Sequence, residues 1–276
     1  MHFTAPARIL NVSNMFSSKT LHLSKQWRDA LNAAGLLDIE AVTKRDFNWF
    51  EAPNKRRGGW SGVTRIVLNP DAPQSEQQAV FLKIQQNHFY RAANTRLKKK
   101  LTFEREFEVL QKLSLCTNNI PELVLFATWQ SGQDVGAILV TRALDNWYPL
   151  NDWFSGQNGL QKPDESTSFK ALNAIAQGLR EIHAAGWVHL CFSGKHLFVQ
   201  PQADGHFQSC VIDMEKSRKH FSLKYRIRKD CSHFMRHTRG LTESHKISFL
   251  KAYFQTDQFT QTQKRLIQSM RGAPTI

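Results

Sequence analysis

The sequence of 276 residues contains few cysteines and no long apolar segment. Its four cysteines lie far apart, and none belongs to a Cys-x-x-Cys pair or to a histidine spacing typical of zinc sites. No run of about 18 uncharged apolar residues could span a bilayer, and the first residues lack the basic and apolar regions of a secretory signal. Repeats, heptads and low-complexity stretches are also absent, which excludes solenoids, propellers and coiled coils. We therefore expect a cytoplasmic protein with free thiols.

Acidic residues are few as well, since 23 Asp and Glu stand against 37 Lys and Arg and leave a formal net charge of +14. This charge predicts a partner that carries phosphate or carboxylate groups. Nucleic acid, an anionic membrane surface and a phosphorylated glycolipid all fit, so charge alone does not choose among them. No recognised nucleic-acid-binding motif occurs, and we expect no specific nucleic-acid partner.

The first half of the chain is predicted to be rich in β-strands. A short amphipathic helix is expected from Ser24, as N-cap, to Gly35. A glycine-rich loop over residues 58–62 should precede the first of four strands, which are predicted at residues 63–68, 79–84, 126–130 and 137–141. A helix with its apolar residues on one face is predicted between the second and third strands, over residues 101–113.

The second half is predicted to be mainly helical. Helices are expected to begin at residue 150, to cover residues 168–185 and 242–254, and to lie around residue 232, with short apolar runs between them. A β-rich half followed by a helical half predicts an α+β fold with two lobes and a cleft. The predicted domains are an N-terminal extension (1–55), a β-rich lobe (56–142) and a helical lobe (143–276).

Several polar residues occur in the order that phosphoryl transfer requires. Transfer from ATP needs a cation on the phosphates, a carboxylate to hold that cation, and a carboxylate for magnesium. Lys83 lies within an apolar strand, and Glu106 follows on the next helix. After the long helix come the segment His189–Val199 and then Asp213, at the end of a third apolar run. This order favours a kinase.

These segments resemble the lipopolysaccharide kinase (Kdo/WaaP) family, including its InaA-like members, within the protein-kinase-like superfamily. The resemblance covers roughly residues 45–256. The matching segments are the glycine segment Arg57–Val63, the helix motif Arg105-Glu106, the catalytic loop His189–Val199, the magnesium-binding strand end Ile212-Asp213, the acidic motif Lys229-Asp230 and the terminal helix Phe249–Tyr253. Each motif is weak alone, and their order carries the resemblance.

The resemblance implies an ATP- and Mg²⁺-dependent kinase with a protein-kinase-like fold. It would phosphorylate a sugar hydroxyl, of heptose or Kdo, in the lipopolysaccharide inner core, with peripheral contact to the cytoplasmic face of the inner membrane. The implied partners are ATP and this core or another anionic glycolipid. The implied site residues are Lys83, Glu106, Gly59 and Gly62 for the nucleotide, His189, Cys191, His196 and Asp213 for catalysis, Asp213 and His196 for the metal, and Asp230 for support of the loop.

Cys191 departs from the family pattern, which is His-x-Asp with the aspartate orienting the substrate hydroxyl. A thiol has an unperturbed pKa of about 8.5 and hydrogen-bonds weakly, so it is a poor substitute for a carboxylate. Both a slow kinase and a regulatory or scaffold pseudokinase are compatible with this replacement.

Three further features each have a structural as well as a functional interpretation. The glycine segment is equally compatible with a phosphate-binding flap and a plain turn. His183 is predicted to be a structural histidine packed in the core. One basic stretch is predicted to be either a solvated loop or a contact with membrane lipid; it contains Arg91, Arg96 and Lys98–Lys100.

Overall fold

The computed structural model describes residues 15–56, 58–91 and 99–276, without the side chains of Arg91 and Lys99. The chain forms two compact units. The first comprises the described residues up to Phe103 together with Val124–Thr141, and the second comprises Glu104–Leu123 and Arg142–Ile276. The predicted domain boundaries at residues 55 and 142 stay a prediction. Arg57, Arg96 and Lys98, which belong to two of the predicted basic or glycine-rich segments, lie outside the described residues.

The first unit is built on a six-stranded sheet with two short strands beside it. The strands in chain order are β1 (Phe16–Leu23), β2 (Asn54–Arg56), β3 (Gly59–Val67), β4 (Ala79–Gln86), β5 (Phe89–Arg91), β6 (Lys99–Leu101), β7 (Leu123–Ser131) and β8 (Asp134–Arg142). Their order in the large sheet is β1-β7-β8-β4-β3-β2, while β5 and β6 pair with each other. The four predicted strands are confirmed as β3, β4, β7 and β8.

Two features of this sheet differ from expectation. The glycine-rich stretch predicted as a loop is the beginning of β3, which pairs with β2 from Gly59 onward. Strand β1 was not predicted, because its sequence is mostly polar and most of its residues are exposed. It pairs antiparallel with β7, placing Thr20 opposite Ala127. Its formation therefore depends on the hydrogen-bonding edge that β7 offers.

Two short helices, α1 (Arg28–Ala33) and α2 (Ile39–Lys44), pack against the sheet. The predicted helix is split, with a 3-10 turn at Lys25–Trp27 before α1, and the Ser24 side chain makes no capping bond. The buried side chains of both helices share a core with strand residues; these are Trp27, Leu31, Leu36, Ile39 and Val42 from the helical region and Val80, Leu82, Ile84, Val124, Leu125, Ala127, Ile138 and Val140 from the sheet.

The second unit is mainly helical. It contains most of α3 (Thr102–Leu113), together with α4 (Leu150–Ser155), α5 (Glu165–Ala184), α6 (Leu223–His237), α7 (Glu243–Phe254) and α8 (Gln261–Gln268). The long helix α5 begins earlier than predicted, because the Asp164 side chain accepts a hydrogen bond from the Thr167 N–H at 2.7 Å and so caps it. Helix α8 was not predicted; it begins with a capping box at Thr260. Among the described residues, no helix has the length and apolar character needed to cross a bilayer.

Five short strands complete the second unit. They are β9 (Tyr148–Pro149), β10 (Trp187–Val188), β11 (Leu197–Pro201), β12 (Phe207–Val211) and β13 (Arg218–Lys219). The β11–β12 hairpin pairs Leu197 with Val211. One step beyond that pair, the Ile212 N–H donates to the His196 carbonyl at 3.0 Å. The residue before β11 and the residues after β12 are therefore neighbours, which positions the candidate site.

Candidate active site

The open end of the β11–β12 hairpin brings two predicted metal ligands together. His196 directly precedes β11, and Asp213 follows β12 after one residue. His196 Nε2 lies 3.3 Å from Asp213 Oδ2. His196 Nδ1 donates to the Cys191 carbonyl at 2.8 Å, so in a neutral ring Nε2 presents a lone pair to the carboxylate. Two acceptors that face each other need a proton or a cation between them, and this arrangement is suited to a metal ion.

Two residues of the site have a left-handed backbone conformation, which is costly for leucine and less so for aspartate. Asp213 has φ 64°, and Leu190 has φ 69°. Left-handed backbone costs a non-glycine residue roughly 1–2 kcal/mol, and such strain concentrates at functional sites. The strained Asp213 keeps a side chain that is 36% exposed, which leaves its carboxylate accessible to a ligand.

Asp230, in α6, binds the backbone of the predicted catalytic loop. Its carboxylate, fully buried, accepts hydrogen bonds from the N–H of His189 at 2.8 Å and of Leu190 at 2.7 Å. The second bond stabilises Leu190 in its left-handed conformation. A buried carboxylate that accepts several bonds rigidifies its surroundings, since losing any one leaves a polar group unsatisfied. Asp230 therefore braces the backbone of the loop, and its role in catalysis stays a prediction.

His183 continues this buried network, and sequence reasoning assigned it only a packing role. Its Nε2 lies 3.0 Å from Asp230 Oδ2, and its Nδ1 lies 2.7 Å from Tyr253 Oη. A carboxylate can only accept, so Nε2 donates to Asp230, and in a neutral ring Nδ1 then accepts the Tyr253 hydroxyl proton. Burial raises the pKa of Tyr253, which keeps this hydroxyl protonated. The sequence signal for this role is a histidine on the apolar stripe of α5.

His189 links the catalytic loop to the strand end that carries Asp213. Its buried ring donates from Nε2 to the Ile212 carbonyl at 3.0 Å and accepts at Nδ1 from the Cys191 N–H at 3.2 Å. Burial lowers the pKa of His189, so the ring is neutral at physiological pH and this single tautomer satisfies both bonds. His189 acts here by positioning Cys191 and Ile212.

Cys191 occupies the position where the family pattern has aspartate. Burial raises the pKa of its thiol, although the positive charge of the nearby Lys216 ammonium acts in the opposite direction. The thiol is therefore protonated at neutral pH and cannot accept a proton from a substrate hydroxyl. Lys216 was not predicted as a site residue; it follows Asp213 by three positions, and only the fold brings it to the thiol.

The predicted nucleotide-binding lysine and its predicted partner lie in different units. Lys83 is a half-buried residue of β4 opposite Val63, with Nζ 6.0 Å from the centre of the Phe103 ring. Glu106 lies on α3 in the second unit, and its side chain is 3% exposed. A carboxylate buried to this degree needs a charged or hydrogen-bonding partner. The Lys83–Glu106 ion pair stays a prediction.

The glycines of the predicted phosphate-binding segment are explained by packing within the first unit. A Cβ atom on Gly62 would lie 2.6 Å from the Trp49 ring, and one on Gly59 would collide with the Asn87 carbonyl. Both positions therefore need glycine whether or not a nucleotide binds. Binding of the nucleotide by Gly59 and Gly62 stays a prediction.

Comparison with known proteins defines first the fold and then the family. The structure of WaaP in complex with acyl carrier protein superposes with a TM-score of 0.58 at 18% sequence identity, covering 91% of this chain and 92% of that chain. At this identity the likeness concerns the fold, and it confirms the predicted protein-kinase-like α+β architecture. Residues 40–253 match the lipopolysaccharide kinase (Kdo/WaaP) family, so the chain belongs to that family. Protein InaA of Escherichia coli (strain K12) is 24% identical over 172 residues, which are 62% of this chain and 74% of InaA.

Proposed function

We propose that this member of the family is an ATP-dependent kinase that phosphorylates a sugar hydroxyl, of heptose or Kdo, in the lipopolysaccharide inner core. The observation that carries the proposal is the pair of Asp213 and His196 at the end of a strained and internally braced loop. Family membership supports phosphoryl transfer at the coarser level. The proposed place of action is the cytoplasmic face of the inner membrane, because the acceptor sugar belongs to a lipid.

The donor atoms at this pair fit a magnesium ion that is shared with a nucleotide. Mg²⁺ in kinases is held by one or two protein groups, with phosphate oxygens and water completing its shell. Within the described ranges, no cluster of three or more histidine, cysteine or acidic side chains forms a cage for a metal. Asp213 would hold the ion, with His196 beside it. When bound, the ion neutralises the charge that develops on the phosphates.

The protein residues contribute mainly by positioning the reactants. Asp230 and His189 fix the loop, and Lys83 is proposed to bind the nucleotide phosphates with Glu106 orienting it. The protonated Cys191 thiol does not act as a base, so the substrate hydroxyl is activated little before transfer. Because the transition state for phosphoryl transfer is loose, positioning and electrostatic stabilisation supply most of the rate. The expected enzyme is a slow kinase.

Substitution of Asp213 tests this proposal most directly. Purified lipopolysaccharide core and ATP are incubated with the wild-type protein, with Asp213→Asn and with Asp257→Asn, which changes an exposed acid of the second unit. We expect Asp213→Asn to lower phosphate incorporation by roughly 100-fold or more, the scale for loss of one electrostatic group at an active site. Asp257→Asn should match the wild type. Incorporation that survives Asp213→Asn unchanged would refute the proposal.

A pseudokinase with a regulatory or scaffold role is the second candidate, and the raised pKa of Cys191 favours it. Cys191→Asp restores the acid beside Lys216, and Cys191→Asn is the matched uncharged control. If the lost base is the only defect, the aspartate variant should gain roughly 100-fold or more in rate and the asparagine variant should not. Absence of activity in all three proteins would favour the scaffold.

A protein partner is suggested by the structural relative, because WaaP forms a complex with acyl carrier protein. We include acyl carrier protein among the partners proposed for this chain. Co-purification of the two full-length proteins by size exclusion measures this binding directly.

A further inference from the structure

A basic and aromatic segment follows the candidate site in the chain. We call residues 216–229 the basic–aromatic patch. It contains seven Lys or Arg and no Asp or Glu; the cations are Lys216, Arg218, Lys219, Lys224, Arg226, Arg228 and Lys229. All of them except Arg226 are exposed. In the middle of these charges, Phe221 is 96% exposed and Leu223 is 49% exposed.

The exposed Phe221 belongs to a well-held surface. The His220 ring stacks on Phe221 at 4.9 Å between centroids and on Tyr225 at 3.9 Å. Tyr225 in turn accepts a hydrogen bond from Arg218 Nη2 at 2.7 Å, and Lys229 Nζ lies 5.4 Å from its ring centre. Stacking and cation–π contacts of this kind fix side-chain directions. Phe221 is therefore presented outward on a structured base.

The combination of groups in this patch is the chemistry of an interfacial membrane contact. An exposed large aromatic is unfavourable in water and gains by entering an apolar phase. Lysine and arginine around it are attracted to an anionic lipid surface. An exposed apolar tip flanked in sequence by exposed cations matches a bilayer, whose acyl region lies beneath a layer of phosphates. The segment itself contains no acidic residue, although the partly exposed Glu215 directly precedes it.

We propose that the basic–aromatic patch docks this chain on an anionic lipid bilayer, with Phe221 and Leu223 entering the interface and the exposed cations Lys219, Lys224 and Arg228 contacting lipid phosphates. The patch is joined to the candidate site within the second unit. Strand β13 pairs with β10, with Lys219 opposite Trp187 and Arg218 opposite Val188, and β10 leads directly into His189. Docking would bring a lipid-linked sugar toward the loop. That last consequence rests on the proposed function, whereas membrane binding itself does not.

Vesicle co-sedimentation of the full chain tests the proposal without relying on activity. Vesicles of phosphatidylcholine alone are compared with vesicles of phosphatidylcholine and phosphatidylglycerol in equal parts. Binding is expected only to the anionic vesicles and should weaken as salt is added. Phe221→Ala is expected to reduce binding roughly tenfold, from the apolar area that no longer enters the interface. Leu115→Ala, which shortens a side chain that is 85% exposed elsewhere in the second unit, should have no effect.

Two charge-reversal variants distinguish membrane binding by the patch from membrane binding by overall net charge. Lys224→Glu/Arg228→Glu and the control Lys112→Glu/Arg265→Glu change the net charge equally, and all four residues are exposed. We expect the patch variant to lose roughly 30-fold or more in vesicle affinity and the control to lose much less. Equal losses in both variants would overturn the proposal, since they would assign binding to overall charge.

Two further measurements distinguish the outcomes. If acyl carrier protein binds the wild type but not Lys224→Glu/Arg228→Glu, and anionic vesicles bind neither protein, the surface is a protein-docking surface and the proposal is wrong. If anionic vesicles bind and Phe221→Ala weakens that binding while no phosphate is transferred to the lipopolysaccharide core, the docking surface is supported and only the proposed kinase function fails.

Discussion

The predicted catalytic loop from His189 to His196 and the glycine segment from Gly59 to Gly62 both resemble family motifs, but different interactions stabilise them. In the loop, side chains such as Asp230 bind backbone N–H groups and stabilise an unfavourable conformation. In the glycine segment, the missing side chains make room for Trp49 and for the Asn87 backbone. A strained loop braced by buried polar groups indicates a function, because packing alone would not select it. Glycines that packing already requires are weaker indicators of a ligand.

Asp230→Ala is the strongest test of this contrast. It would leave the His189 and Leu190 N–H groups and the His183 ring without their acceptor in a buried site. We expect the free energy of unfolding to fall by about 3–5 kcal/mol, the scale for removing one partner of a buried pair. The melting temperature should fall by roughly 6–20 °C. Asp230→Asn retains an acceptor oxygen and should lose less. Equal stability of Asp230→Ala and wild type in thermal unfolding would contradict the bracing role.

Gly62→Ala tests whether packing against Trp49 explains the glycine at position 62. The added methyl group would meet the Trp49 ring at 2.6 Å, and overpacking of this kind costs about 1–3 kcal/mol. The smaller side chain of Trp49→Leu should relieve the collision, so the cost of Gly62→Ala should be smaller in that background. Denaturant unfolding of the two single variants and the double variant measures this coupling. Additive losses would show that the tryptophan is not the reason for the glycine.

We expect a decrease in pH to lower the stability of the second unit before that of the first. Three histidines of the second unit, His189, His233 and His245, have a pKa that burial lowers. The unfolded chain takes up protons at these positions below the ordinary histidine pKa of 6.5, while the folded chain does so only at lower pH. These neutral histidines therefore contribute fully to the free energy of unfolding above the ordinary histidine pKa of 6.5. Their contribution is lost as the pH falls below 6.5.

Hydrogen exchange between about pH 7.5 and pH 5.5, corrected for intrinsic rates, measures this difference. Amides of the second unit should lose protection, and those of the first should change less. In His233→Gln the loss on acidification should be smaller, whereas the exposed His206→Gln should behave as wild type. A uniform loss of protection in both units would contradict the assignment.

Much of the fold was predictable because apolar periodicity is strong in the elements that form the cores. The stripe of α5 and the β-branched residues of β3 and β4 correspond to elements that the structure confirms. Strand β1 could not be predicted, because a polar edge strand carries little apolar pattern and depends on a partner distant in sequence. The glycine segment predicts a loop because glycine disfavours strands, and packing against Trp49 overrides that preference.

The amino-acid sequence by itself determined which chemical groups are present, their order along the chain and hence the family, because motif order does not depend on coordinates. Tertiary structure alone decided that Asp230 binds the loop backbone and His183, that His196 faces Asp213, and that the charge of Lys216 acts on Cys191. These relations depend on strand register, burial and the meeting of residues far apart in sequence. Burial, which no local pattern measures, also decides that the Cys191 thiol stays protonated.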